Sequence, residues 1–170
     1  MENQYLDTNI DGEIKQNGAY GSFLRRFAAV FIDGLIFSVI LGVLFAATGG
    51  ITKLSSMIEE GEMNQQALYS NFLGAFIGIY ILQWLYYAYF ESSDKQGTFG
   101  KQAMGLYVTD TNGDRLTFQK ASIRYFARLL PTLIPIIGAL YSLADYLSQP
   151  FTEKKQTLHD MIAGTLVFKK

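Results

Sequence analysis

Apolar and polar positions divide the chain into three long apolar blocks with charged stretches between them. The first, Phe27 to Ala47, runs for 21 residues with a single charge, Asp33. At about 1.5 Å per residue it measures ~31 Å, the thickness of a bilayer's hydrocarbon core, and so predicts a membrane span. The second, Phe72 to Phe90, carries no charge, has Gln83 as its one strongly polar side chain, and predicts a second span. Its end, Trp84 to Phe90, is dense in aromatics, as at an interface belt. The third, Leu129 to Leu147, is interrupted by Pro131, Pro135 and Gly138, with Asp145 near its end. It predicts either a kinked third span or a re-entrant pair of short helices, whose broken backbone needs shelter from protein or water.

The polar stretches orient these blocks. Residues 1–22 carry acids with little periodicity and read as a cytoplasmic tail or a short surface-lying segment ahead of a membrane domain over 23–170. Arg25 and Arg26 precede the first span, whereas residues 48–71 set Lys53 against Glu59, Glu60 and Glu62, the balance of an outside loop. Ser55 to Tyr69 has some helical spacing there. Residues 91–128 hold Lys95, Lys101, Arg115, Lys120, Arg124 and Arg128 and are expected in the cytoplasm. Within them, Leu106–Thr109 and Arg115–Phe118 flank an Asp-Thr-Asn-Gly turn and predict a small cytoplasmic β-hairpin. Gln119 to Arg128 predicts a helix with Lys120, Arg124 and Arg128 down one side, lying along the anionic leaflet. Lys154, Lys155, Lys169 and Lys170 follow the broken segment, so both its flanks are basic, which favours the re-entrant form with a cytoplasmic tail. The fold class is thus an all-α membrane protein: two transmembrane helices, a Pro/Gly-broken third hydrophobic segment and a small cytoplasmic β-hairpin.

Composition changes this picture little. A net charge of −1 gives no case for nucleic acid as a partner, and the absence of cysteine excludes disulfides, thiolate metal sites and a cysteine nucleophile. The acidic, polar start is unlike a cleaved signal peptide, so the first span reads as a retained anchor in the cell membrane. Gly34, Ser38 and Gly42 form a small-residue stripe on the first span, and Gly74 and Gly78 one on the second, both suited to close helix contact.

Charge inside the first span is the main chemical signal. Arg26 and Asp33 are seven residues apart, nearly two turns, and project from one helix face. An intramembrane carboxylate costs at least a few kcal/mol and needs a partner, a cavity or a bundle interior. It is either a polar staple between helices or an ion or proton site. Gly97-Thr-Phe-Gly100-Lys101 lacks the first glycine of a phosphate loop, and Asp110–Asp114 has its glycine too early for a calcium loop, so both read as turns. His159 is the single histidine and reads as a structural hydrogen-bonder. No hydrolytic triad order, metal-ligand cluster or HExxH is present, so neither an enzyme nor a cofactor is expected.

Taken together, Arg26-x6-Asp33, Gly97-Thr98-Phe-Gly100-Lys101-x3-Gly105-Leu-Tyr-Val, Arg124, and Thr157-Leu-His159-Asp160-Met-Ile-Ala-Gly164-Thr165 resemble the RDD family of small bacterial integral membrane proteins. The family is named for one arginine and two aspartates. Arg26 and Asp33 match the first two, and Asp160 or Asp145 the third, with the fuller motif around Asp160. The resemblance implies an integral membrane protein and brings transport into view. On the residues themselves, Lys101 is expected to pair with Asp160 or with a lipid phosphate. The expected function is that of a non-catalytic accessory or regulatory subunit of another membrane protein. The alternative is a cation or proton transporter that acts as a homo-oligomer through Asp33. The expected partners are the lipid bilayer and another membrane protein or further copies of the chain.

Overall fold

A computed structural model describes residues 19–61 and 64–170, together with the backbone of β1 (Leu6–Thr8) and β2 (Ile14–Gln16), a short antiparallel pair. Most of the predicted tail therefore lies outside the described residues. Two helices dominate the rest: α1 (Phe23–Ala47) and α3 (Gln65–Ser92), each long and apolar enough to cross a membrane. Their outward sides are uncovered hydrophobic surface, including Leu35 and Val43 on α1 and Leu73 and Ile77 on α3. Between them α2 (Gly50–Glu59) forms the predicted loop helix, but earlier in the chain. Gly49 takes φ +77° to turn the backbone into it, while the Asn64 side chain accepts from the Ala67 amide and makes residues 65–71 the first turns of α3.

Beyond Ser92 the chain builds a cap on the ends of these helices. Thr98 starts α4 (Phe99–Ala103), its hydroxyl accepting from the Lys101 amide. Gly97 leaves room for the Leu106 carbonyl and the Lys101 stem, and Gly105, at φ +64°, turns α4 into β3 (Leu106–Asp110). The turn after β3 forms as predicted, with Asp110 accepting from the Asn112 and Asp114 amides. The predicted hairpin does not. Arg115–Phe118 forms no strand, because Leu116 is buried in the core and Thr117 caps the next helix through the Lys120 amide. β3 instead pairs antiparallel with β4 (Thr165–Lys169), Val108 opposite Val167. β4 offers Leu166, Val167 and Phe168, all buried, a better apolar match than Arg115-Leu-Thr. Residues 19–21 lie along the other side of β4, where the Gly21 amide donates to the Val167 carbonyl and Tyr20 stacks on Phe168.

Helix α5 (Phe118–Thr132) carries the basic stripe, and here expectation and structure disagree. Arg124 is buried, Lys120 reaches Asp110 and Arg128 lies over the Tyr87 ring, so the stripe faces the protein. Ile123, Phe126 and Leu130 are the outward residues. Glu91 and Asp160 are buried inside the fold, and turning Arg124 outward would deprive each of a counter-charge. The broken segment breaks where predicted. α5 ends past Pro131, Ile136 takes φ +67°, and α6 (Ile137–Ser148) doubles back, held by the Tyr141 hydroxyl donating to the Ala127 carbonyl. At 15 and 12 residues, α5 and α6 are each shorter than the ~20 a span needs. After a 3-10 turn, α7 (Leu158–Ala163) leads through Gly164, left-handed at φ +59°, into β4.

The core sits where cap and helices meet. Ala29, Ala88, Leu106, Val108, Leu116, Ala121 and Val167 pack together, with Trp84 joining them to a second cluster of Phe37, Tyr87 and Tyr125. The aromatic end of α3 is thus partly core. Tyr87 is buried, and the Trp84 indole donates to the Ser122 hydroxyl, while Tyr89 stays exposed.

Candidate functional site

Six elements bring charged side chains into one buried cluster. Arg26, in the first turns of α1, forms an ion pair with Asp160 of α7 and donates to the Lys155 and Gly21 carbonyls at 2.7 and 3.3 Å. Asp160 is held in place locally: it completes a capping box in which the Thr157 hydroxyl accepts from its amide and its own Oδ2 accepts from the Thr157 amide. Arg124 of α5 donates from Nε to Asp160 Oδ1 at 2.9 Å and from Nη1 to both Glu91 oxygens at 2.7 and 2.8 Å. Glu91, in the last turn of α3, also receives the Lys101 ammonium. Thr165 accepts from Arg124 Nε at 3.2 Å and donates to the Asp160 carbonyl, tying β4 to the same group. Asp145 of α6 takes the His159 amide at 2.9 Å and the ring Nδ1 at 2.7 Å. Asp145 and Asp160 therefore both belong to the cluster, Asp160 facing the arginines and Asp145 the histidine.

The electrostatics follow from this packing. Burial works against an ionised Asp160, but Arg124, then His159 and Arg26, hold its carboxyl well below the usual carboxylate range. Burial pushes the His159 imidazole down, against the opposing pull of Asp160 and Asp145. Burial, and then Arg124, bring the Lys101 ammonium down to about 8 despite Glu91 beside it. Lys101 pairs with neither Asp160 nor the lipid side, because Glu91 is 10 residues away in the chain and directly beneath α4. Sequence reasoning missed Glu91. Its one signal was an acid closing a span just ahead of a strongly basic loop.

Asp33, which the sequence puts on one helix face with Arg26, stands apart from this cluster. It is fully buried, yet its partners are neutral: the Thr98 hydroxyl at 2.6 Å, the Gly100 amide at 2.8 Å and the Tyr86 hydroxyl at 2.8 Å. Among the described residues it forms no ion pair. Seven residues of helix keep Arg26 and Asp33 on one face but ~10 Å apart along the axis, so Arg26 meets α7 and Asp33 meets the start of α4. Gly100 makes that approach possible: a Cβ there falls 2.0 Å from the Ala29 carbonyl oxygen.

Chemically, the cluster is a clamp. Arg26, Lys101 and Arg124 meet Glu91 and Asp160 in ion pairs, and Asp145 joins them through His159. The space left beside Glu91, Arg124 and His159 is about 10 Å³, room for about one water. Among the described residues no group of three or more acidic, histidine or cysteine side chains is placed to hold a metal.

Comparison with known proteins adds two matches. The profile of the RDD family matches residues 20–164. An uncharacterised protein of Bacillus subtilis (strain 168), YxaI, is 35% identical over 155 residues, covering 87% of this chain and 96% of that protein. No solved structure matches.

Proposed function

The chain belongs to the RDD family, and from that premise we propose a multi-pass cell-membrane protein that works as a non-catalytic accessory or regulatory subunit. In this reading α1 and α3 cross the bilayer, α2 lies outside, and the cap from α4 to β4 lies in the cytoplasm with the N-terminus. The α5–α6 hairpin enters the cytoplasmic leaflet and returns. The observation that carries the reading is a contrast between inside and outside. The buried ion pairs join the cap to the helix ends, whereas the small-residue stripes are open: a Cβ at Gly34, Gly42, Gly74 or Gly78 meets nothing within 4 Å. Faces of that kind let another helix approach closely.

One observation favours a second reading, cation or proton transport by a homo-oligomer. Asp33 is a carboxylate within a span that no cation of the described residues neutralises. Purification from native membranes in mild detergent separates the two. A stoichiometric foreign membrane protein supports the subunit. A pure homo-oligomer with cation-dependent proton flux in vesicles, abolished by Asp33→Asn, supports the carrier and overturns the subunit.

A further inference from the structure

A second and more open space, about 360 Å³, lies between α1, α3, α5 and α6, within the size range of small-ligand sites. Its polar lining is unlike the clamp. Arg128 reaches it with no carboxylate among the described residues in ion-pair range. Its guanidinium lies instead 4.4 Å from the Tyr87 ring centroid, and the nearby Glu91 is already taken by Arg124 and Lys101. Gln83, the one strongly polar side chain of its span, lines the same space and makes no hydrogen bond among the described residues. Tyr146 adds a hydroxyl. Phe37 and neighbouring α1 side chains supply an apolar wall, and at Gly34 the wall is open.

We infer that this cavity binds an anionic membrane phospholipid, its phosphate on Arg128 and Gln83 and an acyl chain along the α1 wall. A cation at membrane depth needs an anion, and a guanidinium matches phosphate oxygens two at a time. The apolar wall beside it requires an amphipath. Gln83 sits ~13 Å up α3 from Ser92, about the level at which headgroups give way to chains. The inference rests on the membrane placement proposed above and on neither of the two functions. Thiol labelling tests that placement separately.

The test uses the full chain purified in mild detergent, given phosphatidylglycerol, phosphatidylcholine or inorganic phosphate. Bound lipid is read by native mass spectrometry and the shift in thermal unfolding by fluorescence. Phosphatidylglycerol is expected to stay bound and raise the unfolding temperature, while phosphatidylcholine and inorganic phosphate do neither. Arg128→Gln is expected to reduce retention at least about tenfold, the loss of one charge-assisted contact. Gly34→Leu fills the open wall without altering any charge. It gives the same loss, so the site remains testable if Arg128→Gln fails to fold. Lys120→Gln, on the same helix but outside the cavity, keeps the lipid. Equal binding of phosphatidylcholine overturns the proposal, as does an equal response to inorganic phosphate. So does phosphatidylglycerol retention unchanged in Gly34→Leu.

Discussion

Arg26 and Asp160 stand 134 residues apart in the chain and meet in a buried ion pair that ties the first helix to the last. Asp160 is the only carboxylate Arg26 pairs with among the described residues, while Arg124 has Glu91 as well. Asp160→Asn therefore strands Arg26 and is expected to cost about 3–5 kcal/mol, read as a large drop in unfolding temperature in detergent.

Asp33→Asn behaves differently. The Asn carbonyl keeps accepting from the Gly100 amide and the Tyr86 hydroxyl, and the Thr98 hydroxyl rotates to accept from the new NH2. The expected cost is about 1 kcal/mol. Since Asp33 and Arg26 share no partner, Arg26→Met with Asp33→Asn is expected to be additive to within about 0.5 kcal/mol in a thermal unfolding cycle. Rescue in the double variant refutes the separation of the two sites.

Glycines separate close approach from open surface. Gly100→Ala forces the Ala29 carbonyl aside and is expected to destabilise by about 1–3 kcal/mol or more. Gly34→Ala meets nothing and gains helix propensity, so it is expected to be neutral or slightly stabilising. Comparing the two unfolding temperatures checks both.

The single histidine gives stability a pH signature. Unfolded His159 takes up a proton as pH falls through about 6.5, while the buried ring resists until lower pH. Just below 6.5 the unfolded state thus binds more protons, and stability falls as pH drops through that window. His159→Gln is expected to flatten that part of the profile, whatever its effect at neutral pH.

Topology is checked with the cysteine-free background. Glu60→Cys is expected to react with a membrane-impermeant thiol reagent in intact cells, and Asp114→Cys and Lys154→Cys only after the cells are opened. All three positions are solvent-exposed. Labelling of Lys154→Cys from outside refutes the re-entrant hairpin.

What could be read from the chain depended on distance along it. Both long helices, the break between Pro131 and Gly138 and the α4 turn follow from local periodicity and from Pro, Gly and Thr chemistry. Arg26 and Asp33 were visible as charges at and inside a span, whereas Arg124 and Asp160 stood out only through the family motif. The partner of β3 was not, because β4 lies 55 or more residues downstream and a turn signal speaks only for its neighbours. The basic stripe of α5 was found, but helical spacing gives a face without saying which way it points. Arg26 and Asp33 were correctly put on one face, whereas their separation depended on what packs at each level of the helix.

The Arg26–Asp160 pair also sets a timetable. During synthesis Arg26 is added to the chain roughly 7–27 s before its counter-charge, at ordinary elongation rates. Both long helices are complete before α7 is made, so the nascent chain waits with an unpaired arginine at the end of its first apolar helix. A message cut short before Asp160 therefore yields two membrane-seeking helices that can never close. Such a product is material for quality control, not a smaller working protein.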